Sequence, residues 1–390
     1  HRLNYHLYAR PYLRTNRPIK NGPDRRPVIH ILLGTKAQTI KMMPVISRLK
    51  SEGIAFNLID LGQHSLITEK LRSEFALEAP DAYLYKGKDI STFGQALLWL
   101  GKLFFKSLSA SRIKKWLFRN EKGICLIHGD TASTLIGLYL AKRAGLKVAH
   151  IEAGLRSFCW FEPFPEEILR IVCMRFSDIL FAPSNQAYDN LLKMGLKEKS
   201  VLLSANTSYE SCLYSLNKPA EQFARPEKYA LITVHRMENI TSKKKLSFII
   251  ALLRVVAENM PVIFVQHQPT IHRLNKFGLL KELEKVKNIL FFKLLSHSQF
   301  IRLLQGCEFV VSDGGSIQEE SYYLNKPCLL LRNVTERNEG MGENVLLSQF
   351  SFEKIGHFLK NYNKFTRTHN LNNTNNPPSK QIVEAIKHFR

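Results

Sequence analysis

Several acidic side chains follow apolar segments of the sequence, at positions from which they could move a proton. Asp130 stands in His128-Gly129-Asp130-Thr131, Glu152 follows the apolar residues 148–151, and Glu166 and Glu167 begin a helical pattern. Such carboxylates could supply the general acid and base that abstract and return a proton on carbon. Each also has a structural interpretation, since Asp130 could cap a helix and the two glutamates could complement a helix dipole. The residues alone leave both interpretations open.

Glycine-rich turns and nearby cations provide a possible place for phosphate. Two segments each join an apolar run to a helical pattern. They are Gly34-Thr35-Lys36, which Lys41 follows, and Ser312-Asp313-Gly314-Gly315-Ser316. Backbone amides at a helix start, together with lysines, suit a diphosphate, although short turns of this kind are also common structural connections. Other polar candidates near strand ends are an imidazole, a carboxylate that could accept from ribose hydroxyls, and cations: His235, Glu320, Arg236, Arg332 and Arg337.

These residues can act together only if the fold brings strand ends to one edge of a sheet. Short apolar runs alternate with helical patterns, which predicts an α/β fold with parallel, doubly wound sheets. The predicted strands are residues 28–33, 55–60, 124–127, 148–151 and 179–182, then 229–234, 261–266, 289–292, 309–312 and 328–332. Helical patterns include residues 40–52, 131–144, 166–176, 317–324 and 381–389. In such sheets ligands bind at the carboxyl ends of the strands.

The two series of strands predict two Rossmann-like domains with an interdomain cleft. A chain of 390 residues exceeds what one hydrophobic core usually organises. We expect a basic N-terminal arm at residues 1–27, an N-terminal Rossmann-like domain at 28–205, a C-terminal one at 206–365, and a loop and helix at 366–390.

The charge balance indicates anionic partners. There are 56 Lys and Arg against 33 Asp and Glu, a formal net charge of +23, which suits nucleotide phosphates, anionic lipid or nucleic acid. The six cysteines are widely spaced without a CxxC pair, which favours reduced thiols, and no ligand cluster has the spacing of a metal site. No apolar run approaches the length of a membrane span and no signal peptide is visible, so we expect a cytoplasmic protein.

Seven motifs, in order, resemble the signature of the non-hydrolysing UDP-N-acetylglucosamine 2-epimerases. They are HGDT at 128–131, HIEAGLRS at 150–157, PFPEE at 163–167, FAPS at 181–184, HRMEN at 235–239, GGSIQEE at 314–320 and TERNEG at 335–340. Each motif is modestly specific, and their shared order carries the resemblance. It extends from about residue 28 to residue 365.

The resemblance implies a fold of the glycosyltransferase-B type, with a UDP-sugar bound between two Rossmann-like domains of a homodimer. It implies inversion at C2 of UDP-GlcNAc to give UDP-ManNAc, by anti elimination of UDP and its re-addition, for bacterial surface polysaccharide synthesis. No cofactor and no metal are expected. By position, Asp130 and Glu166 would transfer the proton at C2, while Glu152 and His235 would assist departure and return of the diphosphate.

The resemblance also implies a set of substrate-binding residues, and the 206–365 domain would bind UDP. In this set Phe300 would pack on the uracil. The set is Lys36, Lys41, Arg156, Arg236, Phe300, Gly314, Gly315, Ser316, Glu320 and Arg337.

The sequence departs from the family pattern in several places. The family's GTRPE is here Gly34-Thr35-Lys36-Ala37-Gln38, which keeps a cation but loses the arginine fork and the carboxylate. The family's QHRE is here Gln63-His64-Ser65-Leu66, which puts the usual second, activating UDP-GlcNAc site in doubt. The sequence also departs from the family pattern at Leu169, in the order Gly314-Gly315-Ser316, and at Thr241. All four catalytic positions are retained, so the departures bear on substrate identity more than on reaction type.

Residues 93–118 lie outside the family pattern. They carry five cations and no acid, with apolar residues on one helical stripe. Such a basic amphipathic helix could lie on an anionic membrane surface, which would make a lipid-linked sugar a plausible substrate. The alternative is a helix of the core or of the subunit interface.

Two other functions compete with epimerisation. A glycosyltransferase of the same fold would use the acids to activate an acceptor hydroxyl. A sensor would bind the nucleotide sugar without turnover. Binding of nucleic acid is not expected, because no basic patch interleaves with aromatics in an RNA-recognition pattern.

Overall fold

The computed structural model describes residues 28–63, 65–85, 109–159, 166–218, 224–367 and 376–387. The chain divides into two compact units. Unit 1 comprises the described residues within His1–Arg156, Phe164–Thr207 and Asn376–Arg390, and unit 2 those within Ser157–Pro163 and Ser208–Asn375. The predicted basic arm at 1–27 lies outside the described residues.

Unit 1 is built on a parallel sheet with the order β3-β2-β1-β4-β5-β6-β7. Its inner strands read as nearly continuous apolar runs because helices cover both faces of the sheet. The strands are β1 (Val28–Leu33), β2 (Phe56–Asp60), β3 (Ala82–Tyr83), β4 (Gly123–His128), β5 (Lys147–Ile151), β6 (Ile179–Ala182) and β7 (Ser200–Leu202). The helices are α1 (Lys36–Ser51), α2 (Ser65–Glu74), α3 (Ala110–Trp116), α4 (Ala132–Arg143), α5 (Glu166–Phe176) and α6 (Asn185–Lys193).

Unit 2 is built on a second parallel sheet, with the order β10-β9-β8-β11-β12-β13. Its strands are β8 (Ala230–Thr233), β9 (Val262–Val265), β10 (Ile289–Phe292), β11 (Phe309–Ser312), β12 (Cys328–Leu330) and β13 (Val345–Leu347). Its helices are α7 (Ser208–Asn217), α8 (Met237–Ile240), α9 (Lys243–Asn259), α10 (Gln268–Lys276), α11 (Leu280–Glu284), α12 (His297–Gly306), α13 (Gly315–Tyr323) and α14 (Phe352–Asn361). The predicted α/β class with two doubly wound sheets is confirmed.

Each sheet reverses its strand order at one point, and ligands of doubly wound folds bind there. In unit 1 the reversal falls between β1 and β4, which pair along residues 28–31 and 123–126. In unit 2 it falls between β8 and β11, where Thr233 pairs with Ser312. Of the residues singled out in the sequence, the loops that follow β4, β8 and β11 hold Asp130, His235, Arg236 and Gly314.

The final described helix, α15 (Pro378–Lys387), belongs to unit 1 although it follows unit 2 in the chain. It packs against α1. Its apolar stripe of Ile382, Val383 and Ile386 is fully buried in the core cluster that contains Met42 and Val45. Unit 1 is therefore discontinuous in sequence.

The membrane-facing prediction for residues 93–118 can be followed only in part, because residues 93–108 lie outside the described residues. In the described remainder, α3 exposes Arg112 and Lys115 and buries Ile113. None of the helices in the described ranges is long and apolar enough to cross a bilayer. None of the six cysteines, all of which lie in the described ranges, forms a disulfide, and all except the half-buried Cys159 are buried.

Candidate active site

Asp130 lies at the carboxyl end of β4 and is held by an arginine from α5. Arg170 Nη2 lies 2.5 Å from Asp130 Oδ2, and Arg170 Nη1 lies 3.4 Å from Glu167 Oε2. Glu167 in turn accepts from Arg156 Nε. The row Arg156, Glu167, Arg170, Asp130 alternates in charge, and only Asp130 keeps about a fifth of its side chain exposed. The row therefore leaves the carboxylate of Asp130 partly exposed at the sheet edge and buries the carboxylate of Glu167.

Glu166 is the first residue of α5 and is half-buried. Residues four apart on a helix share one face, so Glu166 and Arg170 lie on the same side of α5. Since Arg170 contacts Asp130, that face of α5 is directed toward the end of β4. The structure thus brings the two predicted proton-transfer residues to the same part of unit 1.

Glu152 follows β5, the neighbour of β4, and adopts a left-handed backbone conformation with φ +67°. Such a φ is uncommon for a residue with a side chain and marks a position held by its surroundings. Its buried Oε2 accepts from Lys41 Nζ and from Asn206 Nδ2, the latter at 2.5 Å, and lies 3.8 Å from His128 Nε2. Lys41, predicted to bind diphosphate, is therefore an ion-pair partner of Glu152 in this structure.

Gln38 joins the turn after β1 to the loop after β4. Its Oε1 accepts from the backbone amides of Gly34 and Thr35 at 2.9 and 3.1 Å, while its Nε2 donates to His128 O at 2.8 Å. The same Nε2 lies within 3.1 Å of the hydroxyls of Thr131 and Thr134. An amide can both accept and donate in this way, whereas an ionised carboxylate can only accept. The family's carboxylate is thus replaced here by a neutral cross-link.

Gln38 also explains why α1 begins earlier than the sequence pattern suggested. The expected start was residue 40, but Thr35 caps the helix and forms a reciprocal capping box with Gln38, so that α1 starts at Lys36. Lys36 is consequently the first helical residue and is half-buried.

The imidazoles of His128 and His150 are buried beside these acids. Burial lowers the pKa of each to about 4, against the opposing effect of Glu152 and Asp130. His150 Nε2 lies 2.7 Å from Gly129 O. Both rings are therefore neutral at neutral pH, and His150 is fixed by its hydrogen bond to the backbone of Gly129.

In unit 2, His235 follows β8 and is fixed by Asp313, which follows β11. The fully buried Asp313 accepts from the backbone amides of His235 and Arg236, each at 3.0 Å, and from Asn239 Nδ2 at 3.0 Å. The His235 ring lies 3.5 Å from Asp313 through Nδ1 and stacks on His267 at 4.5 Å between centroids. About a third of the His235 side chain is exposed.

Gly314 lies in close contact with the His235 ring. A Cβ at residue 314 would lie 3.0 Å from His235 Cε1, which is closer than most real Cβ contacts. Gly314 precedes α13, whose first residues are Gly315 and the half-buried Ser316. The predicted glycine-rich turn therefore lies directly against the predicted catalytic histidine.

The predicted cations of unit 2 are engaged in ion pairs. Arg236 contacts Glu238 at 3.0 Å, and Arg337 Nη1 contacts the buried Glu319. Arg332 contacts Glu336 at 2.8 Å, and burial lowers the pKa of Arg332. Ion pairing of this kind fixes the direction of each guanidinium.

Glu320 is buried on α13 and faces α12. Its Oε1 lies 3.2 Å from His297 Nε2, and His297 Nδ1 lies 2.8 Å from Ser215 Oγ on α7. Phe300, one turn after His297 on α12, is half-buried against the core cluster of Val310.

Several residues in these contacts were not singled out from the sequence as site residues: Gln38, His267, Arg170, Asn206 and His297. A signal existed for Arg170, which follows Glu166 by four residues on a predicted helix. The partners Asn206 and Glu152 lie 54 residues apart, so no local pattern could connect them. Within the described ranges, no group of three or more His, Cys, Asp or Glu could hold a metal ion.

Comparison with known proteins decides the family. The sequence model of the family described as UDP-N-acetylglucosamine 2-epimerase matches residues 47–387. The chain belongs to this family. A UDP-N-acetylglucosamine 2-epimerase of Methanococcus maripaludis is 33% identical over 329 residues, which cover 81% of this chain and 86% of the relative. The resemblance to the family found in the motifs is confirmed.

Two further members bear on fold and substrate. The crystal structure of the Methanocaldococcus jannaschii UDP-GlcNAc 2-epimerase, in complex with UDP-GlcNAc and UDP, is similar with a TM-score of 0.79 at 29% identity, covering 92% of this chain and 99% of that one. A UDP-2,3-diacetamido-2,3-dideoxy-D-glucuronate 2-epimerase of Pseudomonas aeruginosa is 30% identical over 329 residues, 81% of this chain and 87% of the relative. The family therefore includes members named for more than one sugar.

Proposed function

We propose that this chain inverts C2 of UDP-GlcNAc to give UDP-ManNAc. The observation that carries the proposal is the placement of Asp130 and Glu152 at the carboxyl ends of the neighbouring strands β4 and β5, each beside a cation, in a member of this epimerase family. A carboxylate presented at a sheet edge, as Asp130 is, suits abstraction of a proton from carbon.

The proposed reaction runs in two halves. A carboxylate takes the proton from C2, the C1–O bond breaks, and its electron pair leaves with UDP, so that a C1–C2 double bond forms. UDP oxygen then attacks C1, and a proton is delivered to the other face of C2. No electrons are gained or lost overall, so the proposed reaction requires no redox cofactor.

The residues divide between the two units by chemistry. Unit 1 supplies Asp130 and Glu166 for proton transfer at C2, and Glu152 for assistance to the diphosphate. Unit 2 supplies His235 for the same assistance, and its glycine-rich turn provides backbone amides for phosphate. The Asp313 carboxylate accepts hydrogen bonds from the backbone amide of His235. These bonds support the role of His235, because they fix the backbone from which the ring projects.

The remaining substrate-binding assignments are also part of the proposal. Arg156, Arg236 and Arg337 would act through contacts that their present ion pairs orient. Lys36 would contact UDP, and Phe300 would pack on the uracil. Lys41 would act on substrate through Glu152, whose charge it balances.

Incubation with UDP-GlcNAc in deuterated water tests the proposal. The expected result is UDP-ManNAc together with deuterium at C2 of both sugars, detected by NMR and mass spectrometry. Deuterium at C2 requires that the C–H bond be broken. A glycosyltransferase would instead release UDP only when an acceptor is added, and a sensor would bind UDP-GlcNAc without either change.

The same assay identifies which sugar is the substrate. UDP-GlcNAc and the diacetamido glucuronate named for the Pseudomonas aeruginosa relative would be supplied side by side, with a polyprenyl-diphosphate sugar as the lipid-linked candidate. We expect turnover of UDP-GlcNAc, in keeping with the names of the archaeal relatives.

Assembly, cellular role and location remain predictions. We propose a cytoplasmic homodimer that serves surface polysaccharide synthesis, and sedimentation at micromolar concentration would measure its mass. Contact of residues 93–118 with an anionic bilayer would be measured by flotation with phosphatidylglycerol vesicles. Release of the bound protein at high salt would identify an electrostatic contribution.

A further inference from the structure

Ser215, His297 and Glu320 form a buried hydrogen-bonded row in unit 2. Ser215 Oγ lies 2.8 Å from His297 Nδ1, and His297 Nε2 lies 3.2 Å from Glu320 Oε1. None of the three exposes more than 6% of its surface. They come from α7, α12 and α13, and α7 packs on both of the other helices.

The row has a defined direction. An ionised Glu320 carboxylate can only accept a hydrogen bond, so His297 Nε2 is the donor. In the neutral ring Nδ1 is then the acceptor, and the Ser215 hydroxyl donates to it. Glu320 thus fixes the tautomer of the ring, and the hydrogen bond from Ser215 fixes its rotation.

Among the residues that the structure describes, only one oxygen of Glu320 is hydrogen-bonded. Oε1 is bonded to His297, whereas Oε2 has no hydrogen-bond partner among the described residues and does not count among their buried unpaired atoms. The small exposed fraction of the side chain, 7%, leaves Oε2 open to a ligand. A carboxylate fixed through one oxygen and open at the other is suited to accept from hydroxyl groups.

We propose that His297 and Ser215 are positioning residues for ribose recognition, which hold Glu320 so that Oε2 accepts from the ribose hydroxyls of the nucleotide. The inference rests on the proposed function, because it takes a UDP-sugar as the ligand. The inference is supported by the positions of the residues along helices α12 and α13. Glu320 lies one turn after the Gly315 start of α13, where phosphate is proposed to bind, and Phe300 lies one turn after His297 on α12.

The test measures recognition of the ribose separately from turnover. Calorimetry would give the dissociation constants of UDP, 2′-deoxy-UDP and 3′-deoxy-UDP for the full chain and its variants. A hydrogen bond to a charged group predicts that the full chain binds at least one deoxy analogue roughly 10- to 100-fold more weakly than UDP. In His297→Phe this preference should fall to about twofold, and in Ser215→Ala it should fall partly.

His297→Gln is the conservative variant, because its amide N–H can replace the Nε2 donor. It should keep most of the preference for UDP. Tyr229→Phe is the matched control, since Tyr229 donates to Leu303 O of the same helix α12 at 2.7 Å and does not touch Glu320. It should lower the unfolding midpoint while leaving the preference unchanged.

The outcomes separate this inference from the proposed function. If the unsubstituted chain fails to bind UDP at all, the proposed function is wrong and the inference ends with it. If it prefers UDP over the deoxy analogues and His297→Phe and His297→Gln, folded by circular dichroism, keep that preference in full, the positioning role is overturned while the function stands. If His297→Phe and His297→Gln lose the preference for UDP to the same extent, the role of His297 Nε2 as a hydrogen-bond donor is overturned, because glutamine can donate in its place.

Discussion

Arg170 Nη2 lies 2.5 Å from Asp130 Oδ2, which joins the carboxylate at the end of β4 to the middle of α5. The arginine is 5% exposed at its side chain and also contacts Glu167, whereas the side chain of Asp130 is about a fifth exposed. A guanidinium offers several donors in one plane, so it fixes the orientation of the carboxylate as well as balancing its charge. Arg170 therefore determines where Asp130 points.

Arg170→Met should reduce turnover about 100-fold, because a misdirected carboxylate no longer meets the C2 proton. Affinity for UDP, which we assign to unit 2, should change little. Loss of a cation beside the buried Glu167 should also cost up to about 3 kcal/mol of unfolding free energy. Kinetics and urea unfolding would measure the two effects. Arg175→Met, an exposed change on the same helix, is the control, and full activity in Arg170→Met would contradict the assignment.

Lys41→Met should destabilise the chain by about 3–5 kcal/mol, since it leaves the buried Glu152 without its cation. Adding Glu152→Gln in the double variant should restore much of that loss, because the uncompensated charge is removed. Unfolding of both single variants and the double variant gives the coupling energy. If Lys41 bound diphosphate instead, Lys41→Met would weaken UDP binding and leave the stability unchanged.

Gly34→Ala should destabilise unit 1 by about 1–3 kcal/mol, because a Cβ there would lie 2.5 Å from Ser133 Cβ on α4. The strain would act on the turn at residues 34–35, which Gln38 connects by hydrogen bonds to the loop that contains Asp130. Turnover should therefore decrease as well. Gly356→Ala on α14 meets nothing within 4 Å and should be neutral or stabilising by up to about 1 kcal/mol. Thermal unfolding of the two variants, side by side, measures the difference.

The stability of the chain should fall between about pH 6.5 and pH 4. Burial lowers the pKa of His30, His128 and His150 to about 4 in the folded chain, while the unfolded chain takes up these protons near 6.5. The unfolded state thus binds more protons in this window, so stability decreases as pH falls and the loss is complete below about 4. Each histidine can contribute about 3 kcal/mol.

His30→Gln tests that pH dependence at one position. Glutamine keeps an acceptor for Asn57 Nδ2, which lies 3.0 Å from His30 Nδ1, but it cannot take up a proton. The urea midpoint should then vary with pH by about a third less than in the unsubstituted chain. His272→Gln, on the exposed side of α10, should leave the variation unchanged. An unaltered profile in His30→Gln would contradict the argument.

Much of the sheet architecture could be predicted from the sequence because the inner strands are continuous apolar runs. β1 and β6 have the bounds that their residues predict, Val28–Leu33 and Ile179–Ala182. The outer strands Ala82–Tyr83, Ser200–Leu202 and Val345–Leu347 were missed. They have only two or three residues each and complete the sheet edges, so neither length nor periodicity distinguishes them from loops.

The site was predictable in its reactive groups but not in the partners that hold them. Asp130 and Glu152 stand after apolar runs and could be picked out one at a time. The contacts of Arg170 with Asp130 and of Asn206 with Glu152 join residues 40 and 54 positions apart, and only the tertiary structure brings them together. In the sequence, Gln38 is only a departure from the family motif. In the structure, its side chain accepts from the amides of Gly34 and Thr35 and donates to His128 O, so the glutamine connects two loops.

The return of α15 to unit 1 has a consequence for synthesis on the ribosome. Ile382, Val383 and Ile386 complete the core around α1, yet they are translated after all of unit 2. At ~5–20 residues per second, the nascent first unit must wait roughly ten to thirty seconds with that apolar surface uncovered. During this interval we expect it to bind chaperones, while the main segment of the second unit, which follows residue 207, can fold as it emerges.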